Sequence, residues 1–433
     1  MKFEFRNLGT IKTTMLDLRP LTVIIGPNNT YKTYLASCVH GLMRELQSYA
    51  QLFRSKEAKR RDSIEIQDVQ RICDSVATQF SRRLPEYFQD TRRNIFKTTS
   101  VALQIDDRDL TQKFNTVSGL NTETSNGYSA VMRVALGELF RQPLFLPAER
   151  NAFIITYKML SARRYRVLRT WQRRLGDFDF LLEEPQAQEA REREVALLRE
   201  QGDIRYPGPI EDFLDFLTDV ELEAARIKND AKSPFGKIAA AIETRIQSGH
   251  RTSYEATVLG GRELALTVSD QVRIDLHNAS SSVKQLAPLL LYLRYRAAPR
   301  QTLIIDEPEM NLHPEGQAKL LEALGMLANL GVNVLLTTHS PYFMAHLQNL
   351  VAADRKSVAR KKRQAKHLYM GDPAAFLAPN DVSAYEMKSE GLASLQDPEY
   401  GIRWDTLSDV SSELQRRFFA IVEEPEGRGK TKK

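Results

Sequence analysis

Short apolar runs that end in polar residues recur along this chain and define its predicted strands. In the run Leu303–Ile305, three apolar residues lead directly into Asp306, Glu307 and Pro308. A continuous apolar run of this kind is typical of a strand buried on both faces, as in a parallel sheet. We therefore predict a buried strand with two carboxylates at its carboxyl end, where open α/β sheets bind ligands.

Two further runs have the same form. Leu21–Ile25 leads into a glycine-containing loop and then a helical segment, and Val332–Thr338 leads into His339. An amphipathic helix is predicted over Gly316–Leu330, between the acidic pair and the last of these runs. Strands that alternate with helices predict an α/β fold with a parallel sheet and right-handed connections.

Other segments interrupt this alternation. Residues 100–135 and 256–276 predict short strands and turns, which indicate an antiparallel β subdomain. From Lys158 to Gly249 the pattern is long and helical, with a break at Pro207–Pro209. Because it lacks sustained heptads, we expect an inserted helical arm rather than a long coiled coil.

Length and charge leave the partners open. The chain has 433 residues, of which 42% are apolar, so we expect two lobes or one domain with a large insertion. The net charge of +6 is small because 61 cations and 55 anions largely cancel. Basic clusters in residues 158–174 and 355–367 predict either ordinary solvated or packed helices, or a surface for nucleic acid or an acidic partner.

The compartment follows from what the sequence lacks. Two cysteines, Cys38 and Cys73, make no disulfide framework, which favours a reducing compartment. The first residues lack the apolar stretch of a signal peptide, and no uncharged apolar run approaches the roughly 18 residues of a membrane span. We predict a cytoplasmic protein with no membrane partner.

The loop after Leu21–Ile25 has the features of a phosphate-binding P-loop. It consists of Gly26, Pro27, Asn28, Asn29, Thr30, Tyr31, Lys32 and Thr33, and it lies between a predicted strand and a predicted helix. Backbone N–H groups of such a loop bind phosphate oxygens. We predict ATP and Mg²⁺ as cofactors, with Lys32 on the β- and γ-phosphates and the Thr33 hydroxyl on the metal.

One P-loop position departs from the usual G-x-x-x-x-G-K-[ST] pattern, because Tyr31 replaces the second glycine. A tyrosine fits if the residue is near helical φ/ψ, and its ring then stacks on or lines the nucleotide site. Two alternatives stay open. The loop merely resembles a P-loop, or the protein binds ATP as a scaffold without turnover.

Three more groups are candidates for the same site. Glu149 and Arg150 follow a predicted strand, and they form either a structural ion pair or a sensor of the γ-phosphate or attacking water. Ser280–Ser282 precede an apolar helix, where they are either an ordinary N-cap or part of an anion site. His339 is placed by its strand to contact a γ-phosphate.

These motifs, in this order, resemble the ABC-type ATPases of the SMC and DNA-repair branch. Closer still, they resemble the ATPase domain of OLD-family proteins and of AAA-family ATPases in bacterial anti-phage systems. The most specific element is Asp306–Pro314, which carries Asp-Glu-Pro-Glu-x-Asn-Leu-His-Pro. The residues that carry the resemblance are Gly26–Thr33, Leu146–Arg150, Ser280–Lys284, Leu303–Pro314 and Thr337–Ser340.

The resemblance implies a role for each motif on the catalytic side. Asp306 would hold magnesium through water, Glu307 would be the base that orients the attacking water, and His339 would contact the γ-phosphate.

It also implies a second copy of the chain. Ser281 and Ser282, called the signature serines below, would bind the γ-phosphate of the opposite subunit in a homodimer or higher oligomer. Asn311–His313 match the dimer-contact loop. The signature lacks the paired glycines of the family.

The resemblance further implies an ABC-ATPase head. We predict an N-terminal ATPase lobe with the P-loop at 1–157, the arm at 158–250, a C-terminal ATPase lobe at 251–370, and an α/β extension with a basic tail at 371–433.

Two functions follow. The first is a sensor or regulator of an anti-phage complex. Its effector would be a separately encoded nuclease, as in the PARIS and Septu systems, and its trigger would be DNA or a phage protein. The residues after His339 show no convincing metal-binding Glu and Asp-x-Asp set, so a separate effector is expected. Glu386, Glu390 and Asp397 leave a built-in nuclease as an open alternative. The alternative is a DNA-repair or chromosome-maintenance ATPase that clamps DNA directly.

Overall fold

The computed structural model of the protein describes residues 1–53, 66–90, 96–105, 125–160, 206–223, 232–256, 262–269, 271–352, 358–399, 401–403, 412–413 and 415–419. Residues 161–205 and 224–231 of the predicted arm, with its arginine cluster, lie outside the described residues, as do residues 353–357 of the second basic cluster.

The described elements are as follows in chain order. The strands are β1 (Lys2–Leu8), β2 (Ile11–Asp17), β3 (Leu21–Ile25), β4 (Ser100–Gln104), β5 (Leu144–Leu146), β6 (Arg251–Ala256), β7 (Arg262–Thr267), β8 (Arg273–Asp275), β9 (Thr302–Asp306), β10 (Asn333–Thr338), β11 (Val382–Lys388), β12 (Gly391–Ser394), β13 (Gln396–Asp397) and β14 (Gly401–Ile402). The helices are α1 (Lys32–Leu52), α2 (Ile66–Tyr87), α3 (Ser125–Leu139), α4 (150–160), α5 (Gly208–Glu223), α6 (Pro234–Arg245), α7 (Ser281–Tyr295), α8 (Pro314–Asn329), α9 (Pro341–Ala352) and α10 (Val358–Gln364).

A six-stranded sheet in the order β12-β11-β3-β10-β9-β5 forms the centre of the fold. All its neighbouring strands are parallel except β12, which is antiparallel to β11. Every residue of β3 and β9 is buried, because helices or a second sheet cover both faces. The predicted mixed α/β fold with a parallel-sheet core is confirmed.

Alternate residues of the central strands face two different cores. Leu303 and Ile305 pack with helices α5 to α9, whereas Ile304 packs with α1 to α3 and β1, β2 and β4. This is the two-residue period of a strand, with an apolar side chain required on each face. It explains why the sequence shows a continuous apolar run rather than an alternating one.

Antiparallel sheets flank the centre, as the sequence predicts. One has the order β2-β1-β4 and the other β6-β7-β8. The prediction of strands and turns over residues 100–135 is wrong for residues 125–135, which belong to helix α3. Strand β11 lies within the predicted C-terminal extension, yet it pairs with β3 in parallel from Val382 to Glu386. The segment after residue 370 therefore contributes a strand to the central sheet.

The base of the predicted arm is held to the P-loop helix. Helices α4 and α5 bracket residues 161–205, and the Tyr157 hydroxyl donates to Glu221 at 2.6 Å between them. On the other side of α5, Asp212 lies 3.2 Å from Arg44 and 3.4 Å from His40, both on α1.

No described helix is long and apolar enough to cross a membrane.

The buried His40 makes stability depend on pH. Its Nδ1 lies 2.9 Å from the Tyr87 hydroxyl, and burial, helped by the charge of Arg44, lowers the pKa of His40 to about 3. The unfolded chain binds a proton near pH 6.5, whereas the folded imidazole stays neutral. The stability from the neutral imidazole is therefore fully present above pH 6.5 and is lost as pH falls towards 3.

We expect the free energy of unfolding of the wild type to fall by about 1.4 kcal/mol per pH unit below pH 6 from this group. Urea unfolding measures this free energy at pH 7, 5.5 and 4.5. In His40→Gln it should fall less steeply with decreasing pH than in the wild type. The exposed His277→Gln is the control and keeps the wild-type slope. An unchanged slope in His40→Gln would contradict this assignment.

Candidate nucleotide-binding site

Three loops at the carboxyl ends of β3, β9 and β10 meet at one edge of the central sheet. These strands are neighbours in the order β3-β10-β9 and run in parallel, so their carboxyl ends lie side by side. Contacts between side chains from all three loops confirm that they are neighbours in space.

The P-loop closes around the side chain of Lys32. Its Nζ donates to the carbonyl oxygens of Gly26 at 3.0 Å and Pro27 at 2.7 Å, and to the Thr30 hydroxyl at 3.3 Å. Burial lowers the pKa of Lys32, while the nearby carboxylates of Glu307 and Asp306 oppose that shift. A buried ammonium is suited to bind an anionic group such as a phosphate.

Glycine is required at position 26 for a reason of packing. A Cβ there would lie 2.9 Å from both the Cβ and the carbonyl oxygen of Met387 on β11. The first P-loop glycine therefore allows the loop to start close against the C-terminal strand.

The condition under which a tyrosine was expected to fit, near-helical φ/ψ, is not met at Tyr31. Tyr31 has φ 63° and ψ 11°, the left-handed conformation, and it is the residue immediately before α1. A residue with a Cβ incurs about 1–2 kcal/mol in this conformation, which is why glycine is usual here. The ring lies against the β1–β2 turn, because a Cβ on Gly9 would be 2.2 Å from its Cε1 and Cζ atoms.

Asp306 is the buried acid that joins the loops. Thr33 Oγ1 donates to its two carboxylate oxygens at 3.1 and 3.0 Å, and the Thr337 hydroxyl also donates to it. Burial raises the pKa of Asp306, and these hydroxyl hydrogen bonds oppose the shift. The two residues predicted as metal ligands, Thr33 and Asp306, are thus in direct contact.

This pair fits magnesium bound together with a nucleotide. Among the described residues, no group of three or more His, Cys, Asp or Glu side chains is arranged to hold a metal by itself. Magnesium at phosphate sites typically takes one or two protein oxygens and completes its shell with phosphate and water oxygens. A hydroxyl beside a buried carboxylate supplies that number of ligands.

Glu307 is held in an unusual backbone conformation. Its φ is 47°, and its N–H donates to the Thr337 carbonyl at 3.0 Å. Burial raises the pKa of Glu307, the charge of Glu309 adds to this, and Lys32 opposes it. A carboxylate with a raised pKa accepts a proton from water more readily, as the predicted base requires.

His339 lies beside this acid and near the P-loop. Its Nε2 lies 3.4 Å from Glu307 Oε1, and the charge of Lys32 acts on its imidazole. Burial, followed by the charge of Lys32, lowers the pKa of His339, so the imidazole is neutral at pH 7. A neutral imidazole can donate one hydrogen bond to a phosphate or a water.

Sequence reasoning assigned no role to Glu309, yet it fixes the loop that carries His339. Its Oε1 accepts from the Thr338 hydroxyl at 2.7 Å, from the His339 N–H at 2.7 Å and from the Ser340 N–H at 3.1 Å. Its Oε2 is buried and has no hydrogen-bond partner among the residues that the structure describes. The one available signal was the second glutamate of the Asp-Glu-Pro-Glu run.

An ion pair between Glu149 and Arg150 is not among the described contacts, and the sensor interpretation stays a prediction, with the charge of Glu149 acting on Asp306 and Glu307. Arg150 is buried, with 2% exposed, and donates to the carbonyls of Pro147 and Asp306 at 2.9 and 2.7 Å. It also donates to the carbonyls of Gln285 and Glu307 at 3.0 and 3.2 Å. Glu149 is exposed. The guanidinium therefore holds backbone segments together instead of pairing with Glu149.

The serines lie at the start of α7. Ser280 is the N-cap, and its hydroxyl accepts from the Val283 N–H at 3.4 Å and lies 3.0 Å from the Ser282 hydroxyl. Ser281 is exposed and Ser282 is half-buried. No hydrogen bond joins either one to the described P-loop residues of the same chain.

The predicted dimer-contact loop is also at the surface. Asn311 is exposed with φ 61°, and the His313 Nδ1 caps α8 by accepting from the Glu315 N–H at 3.4 Å. Leu312 between them is buried. The loop thus presents polar groups outward on an anchored backbone.

One family model matches residues 159–345, and its description reads "AAA domain, putative AbiEii toxin, Type IV TA system". The matched region contains the serines, the acidic pair and His339. No curated protein matches the chain in sequence.

Two solved structures are similar to this chain. One is the Smc head domain of Pyrococcus furiosus with an extended coiled coil, bound to the C-terminal domain of ScpA. It has 11% identity and a TM-score of 0.37, with 96% of this chain and 98% of that chain covered. The other is an Smc head bound to the C-winged helix domain of ScpA, with 11% identity, a TM-score of 0.39, and coverage of 91% and 96%. The family match, with the P-loop beside the acidic strand end, supports a P-loop ATPase in general.

The contact between Tyr31 and Gly9 gives a testable coupling. Gly9→Ala should lower the free energy of unfolding by about 2–4 kcal/mol, because the new methyl group meets the Tyr31 ring and φ is +62°. In a Tyr31→Ala background the cost should fall by at least about 1 kcal/mol, which a double-mutant cycle measures.

Gly371→Ala is the matched control, since Gly371 has φ +72° but open space around its Cβ position. It should show only the conformational cost and no coupling to Tyr31. A Gly9→Ala cost that is unchanged in the Tyr31→Ala background would show that the ring does not occupy this position.

Proposed function

We propose that this chain is an ATP-hydrolysing ABC-type ATPase that dimerises when ATP is bound. The observation that carries the proposal is the convergence of Thr33, Asp306, Glu307 and His339 from three loops at one sheet edge. Each supplies a different group: a hydroxyl, a buried carboxylate, a half-buried carboxylate of raised pKa, and a neutral imidazole.

Each group has a task in phosphoryl transfer to water, where positioning and charge stabilisation account for most of the catalysis. Lys32 and the loop N–H groups bind the phosphates. Thr33 and Asp306 would hold magnesium, which neutralises charge on the phosphate oxygens. Glu307 takes the proton of the attacking water, and His339 donates to the γ-phosphate.

The surface position of the signature serines supports a composite site. Ser281 and Ser282 lie at a helix N-terminus, where N–H groups and hydroxyls favour an anion. Since their hydrogen bonds do not reach their own P-loop, we assign them to the γ-phosphate bound by a second copy. Asn311 is exposed on the loop that would contact that copy.

We propose that this ATP-gated dimer serves as the sensor or regulator of an anti-phage complex with a separately encoded effector, a nuclease. The motif resemblance supports this role. The description of the matched family names a toxin of a toxin–antitoxin system, which fits a protein that acts with a second gene product. DNA or a phage protein would be the trigger.

One observation favours the alternative of direct DNA clamping. Helix α10 and the residues after it expose Arg360, Lys362, Arg363 and Lys366. A protein that neutralises DNA phosphates with such cations loses affinity steeply as salt rises. A DNA titration at 50 and 200 mM salt separates the two: steep dependence favours the clamp, and negligible binding favours a protein-partner regulator.

We expect Glu307→Gln to bind ATP with wild-type affinity, to lose at least about 100-fold in turnover, and to accumulate as a dimer with ATP. The amide keeps the size of the side chain but cannot accept the proton. Phosphate release and light scattering after gel filtration measure the two effects.

Glu315→Gln is the matched control, because Glu315 is an exposed glutamate on α8 that pairs with Lys319. It should keep wild-type turnover and its monomer–dimer distribution. Normal hydrolysis by Glu307→Gln would show that another group is the base.

A further inference from the structure

One buried arginine connects the two parts of the candidate site that act on different ATP molecules. Arg150 donates to the carbonyls of Asp306, the last residue of β9, and Glu307, the next residue, and to the carbonyl of Gln285 on α7. Gln285 lies one helical turn after the signature serines. A single side chain therefore touches both the acidic strand end and the signature helix.

The link to α7 consists of two hydrogen bonds in opposite directions. Arg150 Nε donates to the Gln285 carbonyl at 3.0 Å, and Gln285 Nε2 donates to the Ala148 carbonyl at 3.1 Å. Gln285 is fully buried. Such a buried reciprocal pair fixes α7 relative to residues 148–150, because breaking either bond leaves a polar group unsatisfied.

The link to Glu307 acts on a strained backbone. With φ 47°, Glu307 is in a region that side chains other than glycine seldom occupy. Its N–H is held by the Thr337 carbonyl and its own carbonyl by Arg150 Nη2. Two hydrogen bonds on either side of one Cα fix the direction in which the carboxylate points.

We propose that Arg150 is a positioning residue that couples the base Glu307 of one ATP site to the signature serines that complete the other. This inference rests on the proposed function. Any displacement of Glu307 is transmitted through the guanidinium to α7, so the two composite sites of a dimer adjust together.

Only arginine can make this set of contacts. The planar guanidinium donates in several fixed directions, and here all three of its nitrogens reach carbonyl oxygens of four different residues. A lysine keeps the charge but has one nitrogen, which cannot reach Gln285 and Glu307 together. Arg150→Lys therefore removes the link while it preserves a cation.

We expect Arg150→Lys to lower kcat for ATP about 10- to 100-fold, the loss typical of a slightly misplaced catalytic group. The KM for ATP should change less than about threefold, since the P-loop is untouched. In the Glu307→Gln background, Arg150→Lys should weaken the ATP-dependent dimer at least about tenfold, because α7 no longer holds the serines in place.

Arg19→Lys is the matched control. Arg19 also donates to backbone carbonyls, those of Pro379 and Val382, but at the opposite end of β3. It should leave kcat and the dimer unchanged. Gln285→Met removes only the bond to Ala148. It should lower kcat and weaken the ATP-dependent dimer as Arg150→Lys does, but by less. In the double variant the two effects should not add.

Three results would overturn the inference. The first is a wild-type kcat in both Arg150→Lys and Gln285→Met. The second is a lowered kcat in Arg150→Lys with an intact ATP-dependent dimer, and the third is a parallel loss of ATP affinity and thermal stability in that variant. The last would show a merely structural role, and if Arg150→Lys does not fold, Gln285→Met decides alone. Absence of turnover in the wild type would instead contradict the proposed function.

Discussion

The buried carboxylate of Asp306 is the interaction on which the candidate site depends. It lies at the end of β9 and accepts hydrogen bonds from Thr33, at the start of the P-loop helix, and from Thr337, at the end of β10. A buried carboxylate without such donors would be costly. The two hydroxyls therefore stabilise the charge and, at the same time, hold three strand ends in one arrangement.

Acids outnumber cations around Asp306. Glu307, Glu309 and Glu149 add negative charge near it, and Lys32 and Arg150 supply two buried cations. Burial lowers the pKa of Arg150 to about 10, so it stays charged at pH 7. Because the acids and the cations are held by separate loops, their relative positions depend on the sheet order β3-β10-β9.

The sequence predicts the parts of this site that depend on continuous apolar runs. Strands β3, β9 and β10 are apolar on both faces, so the residues that follow them were expected to meet. The strand β11 was not predicted, because its buried positions include Ser383 and Tyr385. Both hydroxyls have hydrogen-bond partners near the start of the chain. The Ser383 hydroxyl lies 2.9 Å from the Thr22 hydroxyl, and the Tyr385 hydroxyl accepts from the Asp17 N–H.

Two other features depend on backbone geometry that has no residue pattern. The left-handed conformation of Tyr31 follows from how the loop closes onto α1, and it overrides the usual preference for glycine. The partners of Arg150 are backbone carbonyls, which every residue carries, so its role could be recognised only from the fold. Glu309 was visible in the sequence, but its three donors come from the neighbouring strand's loop.

The central claim is that an ATP site is completed by a second copy of the chain, and mixing two inactive variants tests it most directly. Lys32→Ala disables the P-loop, and Ser282→Glu places a negative charge where the γ-phosphate would bind, at a helix N-terminus that tolerates it. In a mixed dimer, the intact P-loop of one variant meets the intact serines of the other. If the ATP site is shared between two copies, the mixture hydrolyses ATP faster than the two variants do separately. A mixture no more active than their sum would contradict it.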